Sequence, residues 1–369
     1  MHGSNADMAV VVVILATRFI VPLFIPRFPL PAILIALVVD AADQTILQQS
    51  TDLDLANYQN YDKALDIYYL TIAYLAVYRN WTNGIAVEVA RFLWYYRLIG
   101  VLAFEITQAR WLLMVFPNTF EYFFIAYEVV RTCWDPRRMS RRAVIGLAAV
   151  IWIFVKLPQE WWIHVAQNDF TDFMKETVFG VESTSSWVDA FGNRPFVLVA
   201  ILAAIGGVVF AALHFRSRLR PTDWPFGVDV DRPTPVLDLP AADAHVPSMR
   251  WPIVEKLVLI GLISGIFTSV LEVEATGAQI VGATVLLVLA NAGISHVMAT
   301  RGAEWSSLGV EFVVLAVVNT VLLTGFATLV GETGLNRATA WFFGLLLTMI
   351  IVLFDRFRTE RLDRHPGEV

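Results

Sequence analysis

Cysteine is almost missing from this chain: Cys133 stands alone among 369 residues. That excludes an internal disulfide and a thiolate metal cage, and leaves the one thiol as a packing residue. Charge is scarce as well. Asp, Glu, Lys and Arg make up 16% of the chain, against about 25% in an average soluble domain. Hydrophobic residues reach 57% and the mean hydropathy is +0.61, so a soluble globular fold is excluded and an integral membrane protein is expected. There is no Walker loop, no dinucleotide fingerprint and no assembled Ser-His-Asp order, so nucleotide hydrolysis and dinucleotide chemistry have no support in the sequence. No repeat at a solenoid period and no clear inverted duplication is present. A basic region ahead of the first apolar run is absent too. MHGSNAD precedes that run, and it is read as a retained helix, not a signal peptide.

What the chain does have is apolar runs of spanning length, near 8–25, 30–48, 62–79, 84–105, 110–131, 143–157, 196–215, 254–273, 277–299, 307–330 and 339–355. About 17 to 25 residues suffice for one helical crossing. The expectation is therefore an all-α polytopic protein of about eleven transmembrane helices. Arginine gathers in RTCWDPRRMSRR (131–142), RSRLRP (216–221) and DRFRTERLDR (355–364), with Arg301 after the ninth run. All of these follow odd-numbered runs. By the positive-inside rule they are cytoplasmic, which puts the C-terminus inside and the N-terminus outside a bacterial-type plasma membrane. The opposite connections agree: 44–61 has no Lys or Arg, 158–195 is mainly acidic, and so is EVEATG at 272–277.

Two long connections divide the chain. Residues 158–195 mix aromatic and acidic residues and read as an external interfacial helix anchored by Trp161, Trp162, Phe170 and Phe173. Residues 221–253 hold repeated Pro and Asp without apolar periodicity, and read as a cytoplasmic linker. It separates a charged, aromatic-rich part, 1–220, from an apolar helical part, 254–369. Chemistry is expected in the first.

Three constellations there can carry it. Asp40 and Asp43 are three residues apart, Asp62 and Asp66 four apart, so each pair shares a helix face. Consecutive spans are antiparallel neighbours, which brings the four carboxylates toward one point at the external end. Hard oxygen donors suit Mg²⁺, Mn²⁺ or Ca²⁺. The alternative is that they cap helix ends at the water boundary, with Lys63 as a partner.

The pattern Asp40-x-x-Asp43 followed by Asp62-x-x-x-Asp66 resembles the CDP-alcohol phosphatidyltransferases, whose motif is D-x-x-D-G-x-x-A-R and then, after a short spacer, G-x-x-x-D-x-x-x-D. Arg18 and Pro22 echo an Arg and Pro common in that family's first helix region. The resemblance runs from Arg18 to Asp66, and Gln44, Leu47, Gln48 and Tyr58 stand where the family has Gly, Ala, Arg and Gly. It implies divalent metal held mainly by Asp40, Asp43 and Asp62, with Asp66 placed to help deprotonate an attacking alcohol. Asp62 and Asp66 are then the catalytic candidates, and a phosphorylated, lipidic or small-molecule substrate is the expected partner. Membrane lipids are expected around it, nucleic acid is not, and oligomeric state is left open.

The second constellation is the fourth run, GIAVEVARFLWYYRLIGVLAFEITQAR, with Glu88, Arg91, Arg97, Glu105 and Arg110. Glu88, Arg91 and Glu105 fall on one helical face, with Arg97 displaced. Charges at this depth face a polar interior. They serve either an ion or proton path, an anionic-headgroup site at Arg91, Arg97 and Glu105, or internal ion pairs that fix packing; Arg91 in particular is expected to pair with Glu88, Glu105, Glu121 or Glu128. The third is EWWIHVAQNDFTDF, where Glu160 and His164 share a face and His164 is a candidate substrate or acid–base group. A transporter or channel, and a non-catalytic assembly subunit docking through 158–195, remain the other two functional readings.

Overall fold

The computed structural model describes residues 5–50, 58–166, 170–216, 228–231, 252–271, 276–300, 308–330 and 337–364. Among them there is no strand. Every apolar run falls on helix, in the order α1 (Asn5–Ile20), α2 (Pro29–Ser50), α3 (Tyr58–Asn80), α4 (Gly84–Thr107), α5 (Trp111–Val115), α6 (Thr119–Cys133), α7 (Arg141–Val150), α8 (Leu157–Glu160), α9 (Phe170–Phe173), α10 (Trp187–Asn193), α11 (Pro195–Arg216), α12 (Pro252–Val270), α13 (Gly277–Thr300), α14 (Leu308–Val330) and α15 (Arg337–Arg364). Among the described residues, five stretches are long and apolar enough to cross a membrane: Asp7–Phe24, Pro29–Leu47, Arg141–Val165, Ile253–Val270 and Gly277–Ile294. A sixth arises if α10 and the start of α11, bent by 96°, count as one broken span. The chain is membrane-embedded. Much of α1, α2 and α11 turns large apolar side chains outward, among them Val13, Val38, Phe196 and Leu202, a surface that water penalises and lipid does not.

α3 and α4 miss this test because of their charges. α3 carries Asp62, Lys63, Asp66 and Arg79, and α4 carries Glu88, Arg91, Arg97 and Glu105; α3 is shielded by its neighbours, while α4 keeps one face open at Phe92, Ile99 and Ile106. From Ala64 to Tyr78 almost every α3 residue is buried, the signature of a helix surrounded on all sides. α1, α2, α4, α12 and α15 surround it, and one hydrophobic core joins helices from before and after the linker.

Run 110–131 is not one helix. It breaks at Phe116–Asn118, because Pro117 has no N–H for the ladder and pushes Phe116 out of helical geometry, at φ −107° and ψ 63°. Arg97 donates to the freed Phe116 carbonyl at 3.0 Å. The break lies against Gly100 on α4, where a Cβ would stand 2.0 Å from that of Phe116. Gly100→Ala should therefore lower stability by about 1–3 kcal/mol, the usual range for overpacking. A melting curve of the purified variant, set beside wild type, checks it.

The expected interfacial segment 158–195 is also redrawn. Helix α7 passes through a π-helical stretch, Ile151–Lys156, into α8 and a second one, Trp161–Val165, so Trp161 and Trp162 end a span. The wider π turn accommodates Pro158, which lacks a donor for a regular α ladder. Residues 167–169 lie outside the described part, as do most of 44–61 beyond residue 50, most of the linker, 272–275 and Arg301.

Contacts fix which helix ends belong together. At one end Arg79 and Asn80 donate to Pro26 O, at 2.5 and 3.0 Å, Asn83 to Pro136 O and Met139 O at 3.0 and 3.1 Å, and Arg131 to Asn80 O at 3.3 Å. The buried Glu128–Arg131 pair, at 2.7 Å, and Lys256–Asp355, also at 2.7 Å, lie on helices meeting there. The four aspartates gather at the other end of α3.

Candidate functional site

Helix α1 contributes Arg18 from its last turn, and this side chain decides the geometry. Arg18 is buried, and its guanidinium reaches all four carboxylates: Nη1 bonds Asp43 and Asp62, Nη2 bonds Asp40 and, at 2.6 Å, Asp66. A planar fork with donors on separate edges can address four acceptors at once; an ammonium cannot. α2 supplies Asp40 and Asp43 one turn apart, and α3 supplies Asp62 and Asp66 one turn apart. Two faces meeting across α1 make the cage.

The four are not equivalent. The Asp43 side chain is 2% exposed, and besides Arg18 it accepts from Tyr58 Oη at 2.5 Å and from the Gln44 N–H at 2.5 Å. Its acceptor capacity is used by the protein itself. Asp40, Asp62 and Asp66 are 27%, 40% and 43% exposed, and one oxygen from each lies within 4.8 Å of the others. They form the open side of the cage. Four carboxylates and one guanidinium, if all are ionised, leave three negative charges over, which at membrane depth calls for protons or a further cation.

Expected metal ligand Asp43 is thus an anchor for Arg18, while Asp40, Asp62 and Asp66 remain a hard-oxygen donor set that suits a small divalent ion. Lys63 turns away from the cage and pairs with Glu105 of α4 at 2.9 Å. Sequence reasoning missed Arg18 as the central counter-ion. The signal was there: it is the one basic residue in the first apolar run, and a charge in a span needs a partner.

The fourth-run charges are brought to different places. Glu105 pairs with Lys63 near the cage, and Arg97 holds the Phe116 carbonyl. Arg91 makes no ion pair with Glu88, Glu105, Glu121 or Glu128 within 4.0 Å among the described residues, contrary to expectation. Glu121 instead accepts from Tyr69 and Asn118, at 2.8 and 2.7 Å, and Glu128 binds Trp81 and Arg131. A shared face fixes direction around the axis and not height along it: seventeen residues from Glu88 to Glu105 rise about 25 Å.

His164 does meet Glu160, Nε2 to Oε2 at 3.1 Å, and the same carboxylate lies 3.4 Å from Lys156 Nζ. Lys156 is 4% exposed, sits 4.6 Å from the Tyr122 ring centroid and donates to Gln159 at 3.0 Å. Sequence reading left Lys156 out of this group. It lies near the end of an apolar run, where a lysine normally snorkels to water; the π-helical turn keeps it inside. The bonds described for His164 join it to Glu160, and none joins it to the aspartate cage.

No family model, curated protein or solved structure matches the chain.

Proposed function

We propose that the protein is a membrane-embedded transferase or hydrolase acting on a phosphorylated, lipidic substrate, with a divalent cation at Asp40, Asp62 and Asp66. The observation that carries this reading is the charge imbalance on the open side of the cage. Three partly exposed carboxylates converge while a single guanidinium compensates four. A bound cation there supplies neutralisation of phosphoryl charge. Arg18 and Asp43 set the positions of the three ligands, and Asp66 or Asp62, on the open side of the cage, accepts the proton of an attacking hydroxyl. A lipidic substrate is supported by an apolar groove of about 470 Å³ between α1 and α2, lined by Val13, Thr17, Val38 and Ala42 and reaching Asp43. The fourth-run charges supply no comparable second reading, being spread along the helix.

The test is binding of Mn²⁺ to the full chain in lipid nanodiscs, followed by electron paramagnetic resonance, together with turnover of CDP-diacylglycerol plus an alcohol, or of phosphatidic acid alone. One Mn²⁺ per chain, lost in Asp62→Asn, supports the site. Failure of wild type to bind any divalent ion leaves Arg18 as sole counter-ion and favours transport or assembly instead.

The same reading takes eleven passes with the cage outside and the arginine-rich end in the cytoplasm. Arg138 is exposed at that end. In a Cys133→Ser background, Arg138→Cys should resist an impermeant thiol reagent in intact cells and react after permeabilisation. Labelling in intact cells would reverse the orientation.

A further inference from the structure

We propose that Arg27 and Arg79 form a binding site for the phosphate of an anionic lipid headgroup, and that Asp229 and Asp231 of the linker occupy this site when no such lipid does. The site is at the other end of α3 from the aspartate cage and is independent of the function proposed above.

Arg27 lies in the short connection between two stretches of membrane-crossing length, Asp7–Phe24 and Pro29–Leu47. That fixes it at headgroup level. Phe24, one turn before it, is 52% exposed, an apolar neighbour for the start of an acyl chain. Arg79 ends α3 beside it. Its guanidinium is held by the protein: Nη1 donates to Pro26 O at 2.5 Å, and the group lies 5.8 Å from the Phe357 ring centroid. Arg27 lies 5.2 Å from the Phe28 ring centroid. Both cations are positioned by elements other than the linker.

Residues 228–231 dock across them. Arg27 Nε and Nη2 donate to the two oxygens of Asp229 at 3.2 and 3.1 Å, a two-pronged pair. Arg79 Nη2 donates to Asp231 at 2.5 Å, and Arg27 Nε stands 3.7 Å from the other Asp231 oxygen. The Val230 N–H donates to Arg27 O at 3.0 Å. Two carboxylates are thus presented where the oxygens of one phosphate would fit, because Arg forks bind carboxylate and phosphate with the same parallel geometry.

The hold is weak enough to exchange. Each short pair keeps one exposed partner, Arg27 at 56% and Asp231 at 41%, beside a more buried one, Asp229 at 13% and Arg79 at 18%, and partly exposed pairs of this kind contribute about 1 kcal/mol each. What keeps the aspartates in place is tethering, which raises their local concentration. A membrane rich in anionic phosphate competes on the same terms, since its headgroups are concentrated in the plane where Arg27 lies. Residues 228–231 become an electrostatic latch that a lipid opens.

The test uses the full chain in nanodiscs, with spin labels at Val228→Cys and Arg142→Cys in the Cys133→Ser background. In phosphatidylcholine alone, the pulsed-resonance distance distribution should show one dominant docked population. Adding phosphatidylglycerol should deplete it several-fold, and inorganic phosphate at matched concentration should not. Asp229→Asn with Asp231→Asn should be undocked in both membranes and retain several-fold more phosphatidylglycerol by native mass spectrometry. Arg27→Gln should be undocked yet retain several-fold less, and being exposed it leaves the fold intact. A docked population indifferent to phosphatidylglycerol, equal lipid retention by Arg27→Gln and wild type, or equal opening by free phosphate would overturn the proposal.

Discussion

Arg18→Gln should be the most damaging single substitution in the first half of the chain, costing about 3–5 kcal/mol, the range for stripping one partner from a buried charge network. Among the described residues the guanidinium alone is bonded to all four aspartates, and Asp43 is buried at 2% exposed. In a melting curve this corresponds to a fall of roughly 10 °C. Arg18→Lys should recover only part of it, because a compact ammonium cannot span two helix faces with separate donor edges. Adding Asp43→Asn to Arg18→Gln should return some of the loss, since the two residues form one network and their effects cannot add. An Arg18→Gln protein that melts with wild type would show that the cage is held by something other than this residue.

The second large effect separates residues that look alike in sequence. Asp43→Asn removes the acceptor shared by Arg18, Tyr58 and the Gln44 N–H, and should destabilise by about 1–3 kcal/mol, the cost of leaving buried donors unpaired. Asp62→Asn and Asp66→Asn act on the open side, where one negative charge fewer relieves repulsion among converging carboxylates. In cation-free buffer these two should melt at or above wild type, by up to about 2 kcal/mol, as is common where a site is kept strained for function. With Mn²⁺ the order reverses: wild type gains stability by mass action and the open-side variants do not. Their turnover should fall roughly a hundredfold or more if they hold the cation or the proton. Melting each protein in chelator and again in Mn²⁺ reads both signs at once. If Asp43→Asn and Asp62→Asn respond identically, the division into an anchoring and an open side is wrong.

Helical class and membrane embedding were legible in the sequence, because long apolar runs with few charges have only one way to satisfy their backbone in lipid. Periodicity was enough to pair Asp40 with Asp43 and Asp62 with Asp66, and antiparallel succession of helices was enough to bring the pairs together. Those are local rules, and neighbouring residues suffice to apply them. The identity of the group between the carboxylates was not of that kind: Arg18 is twenty-two residues from Asp40 and forty-eight from Asp66, and only packing of α1 across α2 and α3 puts it there. The same limit explains Arg91 and Glu105. Helical spacing put both on one face, yet the height each occupies, and the partner found at that height, depend on which helix lies alongside. Glu255, in the part read as apolar, is buried and accepts from Tyr74 and Tyr78 of α3. Hydropathy averages over a run and cannot register one carboxylate, whereas tertiary packing must supply donors to each one, because an unpaired charge in the core costs more than the contact it displaces.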